Sequence, residues 1–114
     1  MKAISIYPKW ADMIRLRLKS LEIRTWPTKH RGELLICSTK PDGHARCVAD
    51  LVNCRPMTRD DVVAAGGVPY ADGLWAWELA NVREIEPFPV KGLQRIFNVE
   101  PPKRRSRCSP TAVG

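Results

Sequence analysis

The 114-residue chain carries 19 Lys and Arg against 12 Asp and Glu, a formal net charge of +7, with 44% hydrophobic and 27% charged residues. That length suits one domain with a modest core, the composition is that of a globular protein, and no apolar run approaches the roughly 20 residues of a bilayer-spanning helix. The four cysteines contain no C-x-x-C pair and, with only two histidines, match no common zinc spacing, so no metal or other cofactor is expected.

The chain opens without a charged leader, apolar stretch and small-residue cleavage site, which predicts a cytoplasmic location. "KAISIY" is short, partly alternating and β-branched at Ile4 and Ile6, and reads as a first strand ending at Pro8. From Lys9 the period changes: Trp10, Met13, Ile14 and Leu18 recur at spacings of three and four, predicting an amphipathic helix. Asp12, Arg15, Arg17 and Lys19 should then lie outside, with Trp10 and Met13 in the core. In "SLEIRTW" the period of two places Leu21, Ile23 and Thr25 toward the core and Glu22, Arg24 and Trp26 together on the other face. Pro27 stops this second strand.

"TKHRG" is a basic turn. "ELLICS" follows as a strand with apolar residues on both faces, which predicts burial on both sides. A Pro-Asp-Gly turn leads into "ARCVADLVNC", a long strand from about Ala45 to Cys54. Cys37 and Cys47 fall on neighbouring strands, where reduced, buried thiols are expected rather than a disulfide. "MTRDDVVAAGG" predicts a compact second helix, capped by Thr58, with Asp60 and Asp61 at its positive end and Gly66 or Gly67 closing it in a left-handed conformation. Trp75, Trp77 and Leu79 should share one face of the next strand, with Leu74, Ala76 and Glu78 on the other, until Pro87 and Pro89 break it. "RIFNV" is a last short strand. Residues 101–114 are basic with little apolar surface, and predict a disordered tail beyond a domain of residues 1–100. The sum is five to six short, mostly antiparallel strands in a small barrel flanked by two or more helices.

Charge is unevenly spread along this order. Residues 1–31 hold eight Lys and Arg against two acids, residues 32–100 seven against ten, and the last fourteen residues four against none. A basic zone of this kind favours a polyanion through counterion release. The trio Lys19, Glu22 and Arg24 adds chemistry to the charge. A carboxylate between an amine and a guanidinium orients the guanidinium or accepts from a base edge, and Trp26 on the same face is a surface for base stacking. The plain alternative is a Glu22–Arg24 salt bridge on an exposed strand face, worth about 0–1 kcal/mol.

"SIYPKWADMIRLRLKSLEIR" resembles the ASCH domain, whose first region typically runs Pro-x-aromatic-Ala, an Ile three residues on, then Gly-x-Lys-x-x-Glu-x-Arg. Pro8, Trp10, Ala11 and Ile14 match the first part; Lys19, Glu22 and Arg24 match the second. "WPTKHRGELLI", "VADLVNCRPM" and "WAWELANVREIEPFPVKGLQ" extend the similarity over about residues 3–99. The resemblance implies a PUA-like pseudo-barrel, mainly β within an α+β class, with a cleft beside the first helix credited with binding RNA or other nucleic acid. Arg17 stands where the family carries glycine, so the backbone there must do without glycine's freedom.

Binding of RNA or single-stranded nucleic acid is thus the leading expectation, for a chain taken as monomeric and away from membranes. Lys19, Glu22, Arg24 and Trp26 would form the cleft, with Lys9, Lys29, Arg31 and Lys91 around it. Hydrolysis is the alternative. Some relatives look like amidohydrolases of an acylated cytidine that use the motif's Lys, a Thr three residues later and a distant Glu; here that Thr is Glu22, and Thr25 faces the core by parity. A ribonuclease would draw on Lys19 or His30 as base and Arg24 or Arg31 for the phosphorane. In either enzyme Lys19, Glu22 and Arg24 are the catalytic candidates, although a carboxylate beside Lys19 should raise its pKa away from neutrality. A regulatory module that binds protein is the third class.

Overall fold

The computed structural model describes residues 1–102. The elements run β1 (Lys2–Ile6), α1 (Pro8–Arg15), β2 (Leu21–Arg24), β3 (Gly32–Ser38), β4 (His44–Pro56), β5 (Trp75–Pro89) and β6 (Phe97–Asn98). All six strands join one sheet in the order β2-β5-β4-β3-β1-β6. Every pairing is antiparallel except β1 with β3, where α1 makes the crossover that a parallel pair requires. The strand count and mostly antiparallel pairing are as expected, but β2 and β6 remain the two ends of an open sheet, so the barrel is not closed.

Burial follows the alternation in the sequence. On one face Ile4, Ile6, Leu34, Ile36, Leu51, Trp77 and Leu79 pack against Ala11 and Ile14 of α1. On the other, Ala3, Leu35, Cys37, Ala45, Val48 and Phe97 form a second cluster. β3 is therefore buried on both sides, as its apolar run predicts. Cys37 and Cys47 are buried free thiols, and burial pushes them up to about 12 and about 11. β4 and β5 run longer than predicted and bend at three register shifts, between Ala45 and Cys47, Val48 and Asp50, and Leu51 and Asn53.

Three local expectations are corrected. Pro87 and Pro89 do not break β5, because β2 pairs only with its first four residues and the missing N–H groups cost little on a strand edge. The second helix is a single 3-10 turn, Arg59–Asp61, followed by turns that the left-handed Gly66 and Gly67 close, and a segment this short is below the length at which an α-helix propagates favourably. Asp61 nonetheless caps this segment, its carboxylate accepting from the Thr58 N–H at 2.7 Å, while the Arg55 guanidinium grips it through two hydrogen bonds of 2.8 and 2.9 Å. The last strand shrinks to Phe97 and Asn98.

The segment after the 3-10 turn packs Ala65 against Leu21, Met57 and Ala76. Gly66, at φ +79°, faces α1 so closely that a Cβ would lie 3.1 Å from Met13 Cε and 3.2 Å from Trp10 Cζ3. No helix is long and apolar enough to cross a membrane among the described residues. The proposed disordered tail, with Cys108, lies outside the described residues except for Pro101 and Pro102.

Candidate functional site

The site begins where α1 ends. Leu16 caps the helix, and Arg17 then takes φ +63°, the left-handed conformation that glycine adopts without strain. The turn is closed by the Leu18 and Lys19 N–H groups, which both donate to Met13 O at 2.7 and 3.2 Å. Arg17 itself reaches across to donate to Val82 O at 2.7 Å. Because the helix stops short of Leu18, the predicted apolar stripe is not continued, and Leu18 is 62% exposed.

The same turn drives Lys19 inward, against the expectation that it lies outside: it is 2% exposed. Its Nζ donates to Ala65 O at 2.6 Å, sits 4.9 Å from the centre of the Trp10 ring, and lies 3.7 Å from Glu22 Oε1. Glu22 is 5% exposed and pairs in register with Trp77, so it shares the α1 side of β2. Its other oxygen, Oε2, accepts from Arg24 at 3.2 Å. Glu22 is thereby held between ammonium and guanidinium. Burial pushes its carboxyl above the usual range, opposed by Lys19 and Arg24. Burial likewise lowers Lys19, and Glu22 opposes this without overcoming it, so the expected upward shift is not what the site produces.

Beyond Arg24 the strand ends. Thr25 is exposed rather than in the core, because strand parity no longer applies past the last ladder residue. Trp26 turns back edge-on to Trp77, with centroids 4.8 Å apart at 88°, and its carbonyl accepts from Trp77 Nε1 at 3.2 Å. The indole also meets two guanidinium groups, Arg24 at 5.7 Å and Arg95 at 4.2 Å from its centroid. Trp26 is therefore a half-buried platform built onto the core.

These groups line an open cavity of about 610 Å³, walled by Ser5, Tyr7 and Trp10 from β1 and α1, by Glu22, Arg24 and Trp26, and by Leu93, Gln94 and Arg95. Lys19 does not line it; it lines a separate depression of about 640 Å³ with Arg17, Ser20 and residues Leu79 to Arg83. The structure thus brings Glu22, Arg24 and Trp26 together and leaves Lys19 beneath them. Lys9, Lys29, Arg31 and Lys91 are exposed outside the cavity wall. Lys9 sits 4.8 Å from the Trp10 ring, and Arg31 folds back onto the carbonyls of Thr28 and His30 at 3.0 and 2.8 Å. His30 is engaged by the Glu33 carbonyl at 2.8 Å.

Arg95 was not singled out by the sequence, nor was Gln94, Ser5 or Tyr7. Nothing local distinguishes Arg95, because its partner Trp26 is 69 positions away and only the fold brings them together. Trp10 was assigned to the core and is half-buried, with one side on the core and one in the cavity. Among the described residues no group of three or more His, Cys, Asp or Glu converges as metal ligands.

The family model of the ASCH domain matches residues 4–89. A comparison with curated proteins finds no match. Among solved structures, the crystal structure of ASCH from Zymomonas mobilis aligns with a TM-score of 0.68 at 14% identity, covering 98% of this chain and 94% of that one. A tyrosine-to-phenylalanine mutant of the Zymomonas mobilis protein aligns with a TM-score of 0.67 at 15% identity, covering 97% and 95%. At that identity the likeness speaks for the fold.

Proposed function

The chain belongs to the ASCH domain family, and on that premise we propose that it binds single-stranded RNA through the cavity walled by Glu22, Arg24, Trp26 and Arg95. One observation carries the reading: an indole, two guanidinium groups and a buried carboxylate meet in a single open cavity. A nucleotide offers the matching set, a π-face, an anionic phosphate and base-edge N–H donors. Stacking on an aromatic is worth about 1–3 kcal/mol per base, more than the about 0.5–1 kcal/mol of an exposed cation–π contact such as that of Arg95 on Trp26. The arrangement is therefore better suited to holding a ligand than to holding itself together. The excess of bases over acids in residues 1–31 adds long-range attraction for a polyanion.

The test is the binding of a fluorescent single-stranded RNA 12-mer as a function of salt, with DNA of the same sequence in parallel. Binding should strengthen as salt falls, and Arg24→Ala should weaken it and flatten the slope of log K against log salt by about 0.7, one phosphate contact. No retention of either strand at low salt rules the reading out and leaves the protein-binding module.

Hydrolysis of RNA or of an acylated nucleoside is the second reading, supported by the opposite displacement of two adjacent buried groups, Lys19 downward and Glu22 upward. Of the two, Glu22 lines the cavity and is the acid or base within reach of a substrate; Lys19 then positions it. Product formed from labelled RNA or acylated cytidine by the wild type, and lost in a folded Glu22→Gln variant, supports this reading. Absence of product from both substrates excludes it.

A further inference from the structure

Resting on the RNA-binding reading, we propose that Arg95 is the specificity-determining residue of the cavity: its guanidinium holds the place of a nucleobase on Trp26 and gives it up in exchange for the nucleotide's phosphate. The site would then take phosphorylated nucleotide units and discriminate against bare nucleosides.

The two guanidinium groups at Trp26 differ in how they are held. Arg24 is anchored by Glu22 at 3.2 Å and stands off the indole at 5.7 Å. Arg95 lies closer, at 4.2 Å, and among the described residues this stack is the only polar or charged contact its guanidinium makes. Arg24 is thus a fixed wall, while Arg95 is tied only by the contact that a base would replace. Cation–π contact at an exposed site is weaker than base stacking, so an arriving base wins the face. The displaced guanidinium, still at the cavity mouth, is then beside the phosphate of the same nucleotide, where charge-assisted pairing compensates for leaving the ring. A nucleoside would have to displace Arg95 with no phosphate to receive it.

The backbone carrying Arg95 is suited to such an exchange. The segment between β5 and β6 is pinned at its start by the Val90 N–H on Gly43 O at 2.9 Å and at its end by Phe97 against Ala3. Between the pins, Gly92 lies so close to β1 that a Cβ would fall 2.6 Å from Ser5 Oγ, and that hydroxyl is buried without a hydrogen-bond partner. Arg95 itself is held at φ +62°. An unpaired buried hydroxyl and a left-handed arginine both raise the energy of the segment that carries Arg95.

The experiment is calorimetric titration of adenosine and adenosine 5′-monophosphate into wild type, Arg95→Ala and Arg95→Lys, alongside the RNA 12-mer. The wild type should prefer the monophosphate by tenfold or more. Arg95→Ala should bind adenosine several-fold tighter and the monophosphate more weakly, collapsing the ratio. Arg95→Lys keeps the charge without the planar stack, so it should tighten adenosine while retaining the preference. Weaker adenosine binding in Arg95→Ala would make Arg95 a stacking platform and overturn the proposal, as would an unchanged ratio or a wild type that retains RNA with no preference for the monophosphate. A wild type that fails to retain RNA at low salt instead removes the reading on which the proposal rests.

Discussion

The Lys19 ammonium lies 3.7 Å from Glu22 Oε1, and both side chains are buried, each with only a small edge at a cavity wall. Lys19 also ties α1 to the segment after the 3-10 turn by donating to Ala65 O. Lys19→Ala would leave Glu22 buried with Arg24 alone and the Ala65 carbonyl unpaired. It should destabilise the fold by about 3–5 kcal/mol, the cost of breaking a buried pair. Arg24→Ala, at a half-buried position, should cost about 1 kcal/mol or less. Urea unfolding of the two variants checks the contrast, and equal losses would place Lys19 at the surface. Loss of RNA binding in Lys19→Ala therefore has to be read beside its stability.

Acid stability should report on Asp61. Its hydrogen bonds from Arg55 and Thr58 hold the carboxyl at about 2, below its ordinary 3.8. A carboxylate whose folded pKa lies below its unfolded one stabilises the fold at pH above the unfolded value, and that contribution disappears as pH falls from about 4 to about 2. Arg55→Ala should move the acid-unfolding midpoint of the protein upward in pH. Circular dichroism across an acid titration measures it; an unchanged midpoint would mean that the pair contributes nothing.

Thiol labelling should sort the cysteines by burial. Cys37 and Cys47, pushed up to about 12 and about 11, should resist iodoacetamide at neutral pH until the protein unfolds. Cys54 is half-buried and should label first. Mass spectrometry of a Cys108→Ser protein before and after denaturant separates these rates. Equally fast labelling of all three would contradict the packing of β3 against β4.

Arg17 offers a test of backbone strain. At φ +63° a side chain costs about 1–3 kcal/mol relative to glycine, while its hydrogen bond to Val82 O is exposed. Arg17→Ala keeps the strain and loses the bond; Arg17→Gly loses the bond and relieves the strain. The glycine variant should be more stable than the alanine variant by about 1 kcal/mol in thermal unfolding. The reverse order would show that the left-handed backbone at position 17 stores no strain for glycine to relieve.

Much of this molecule follows from local pattern. The period of two in residues 21–24 puts Glu22 and Arg24 on one face whatever the rest of the chain does, and the doubly apolar run of β3 requires cover on both sides. Of the stripe that the helix period marks, Ile14 is buried and Trp10 and Met13 are half-buried, while Ala11, which the period did not mark, is buried beside them. Local pattern does not say how far a helix runs: the left-handed turn at Arg17 ends it early, which turns Lys19 inward and Leu18 outward. Nor does it say that Pro87 and Pro89 lie on a strand edge, since that depends on β2 being only four residues long. β2 and β6 are opposite ends of the sheet order, so Arg95 reaches Trp26 only through the path that the segment between β5 and β6 takes in the folded chain. Neighbouring residues share a face through backbone geometry alone, but a cavity is made by residues remote in sequence, and their meeting is decided by the packing of the whole sheet.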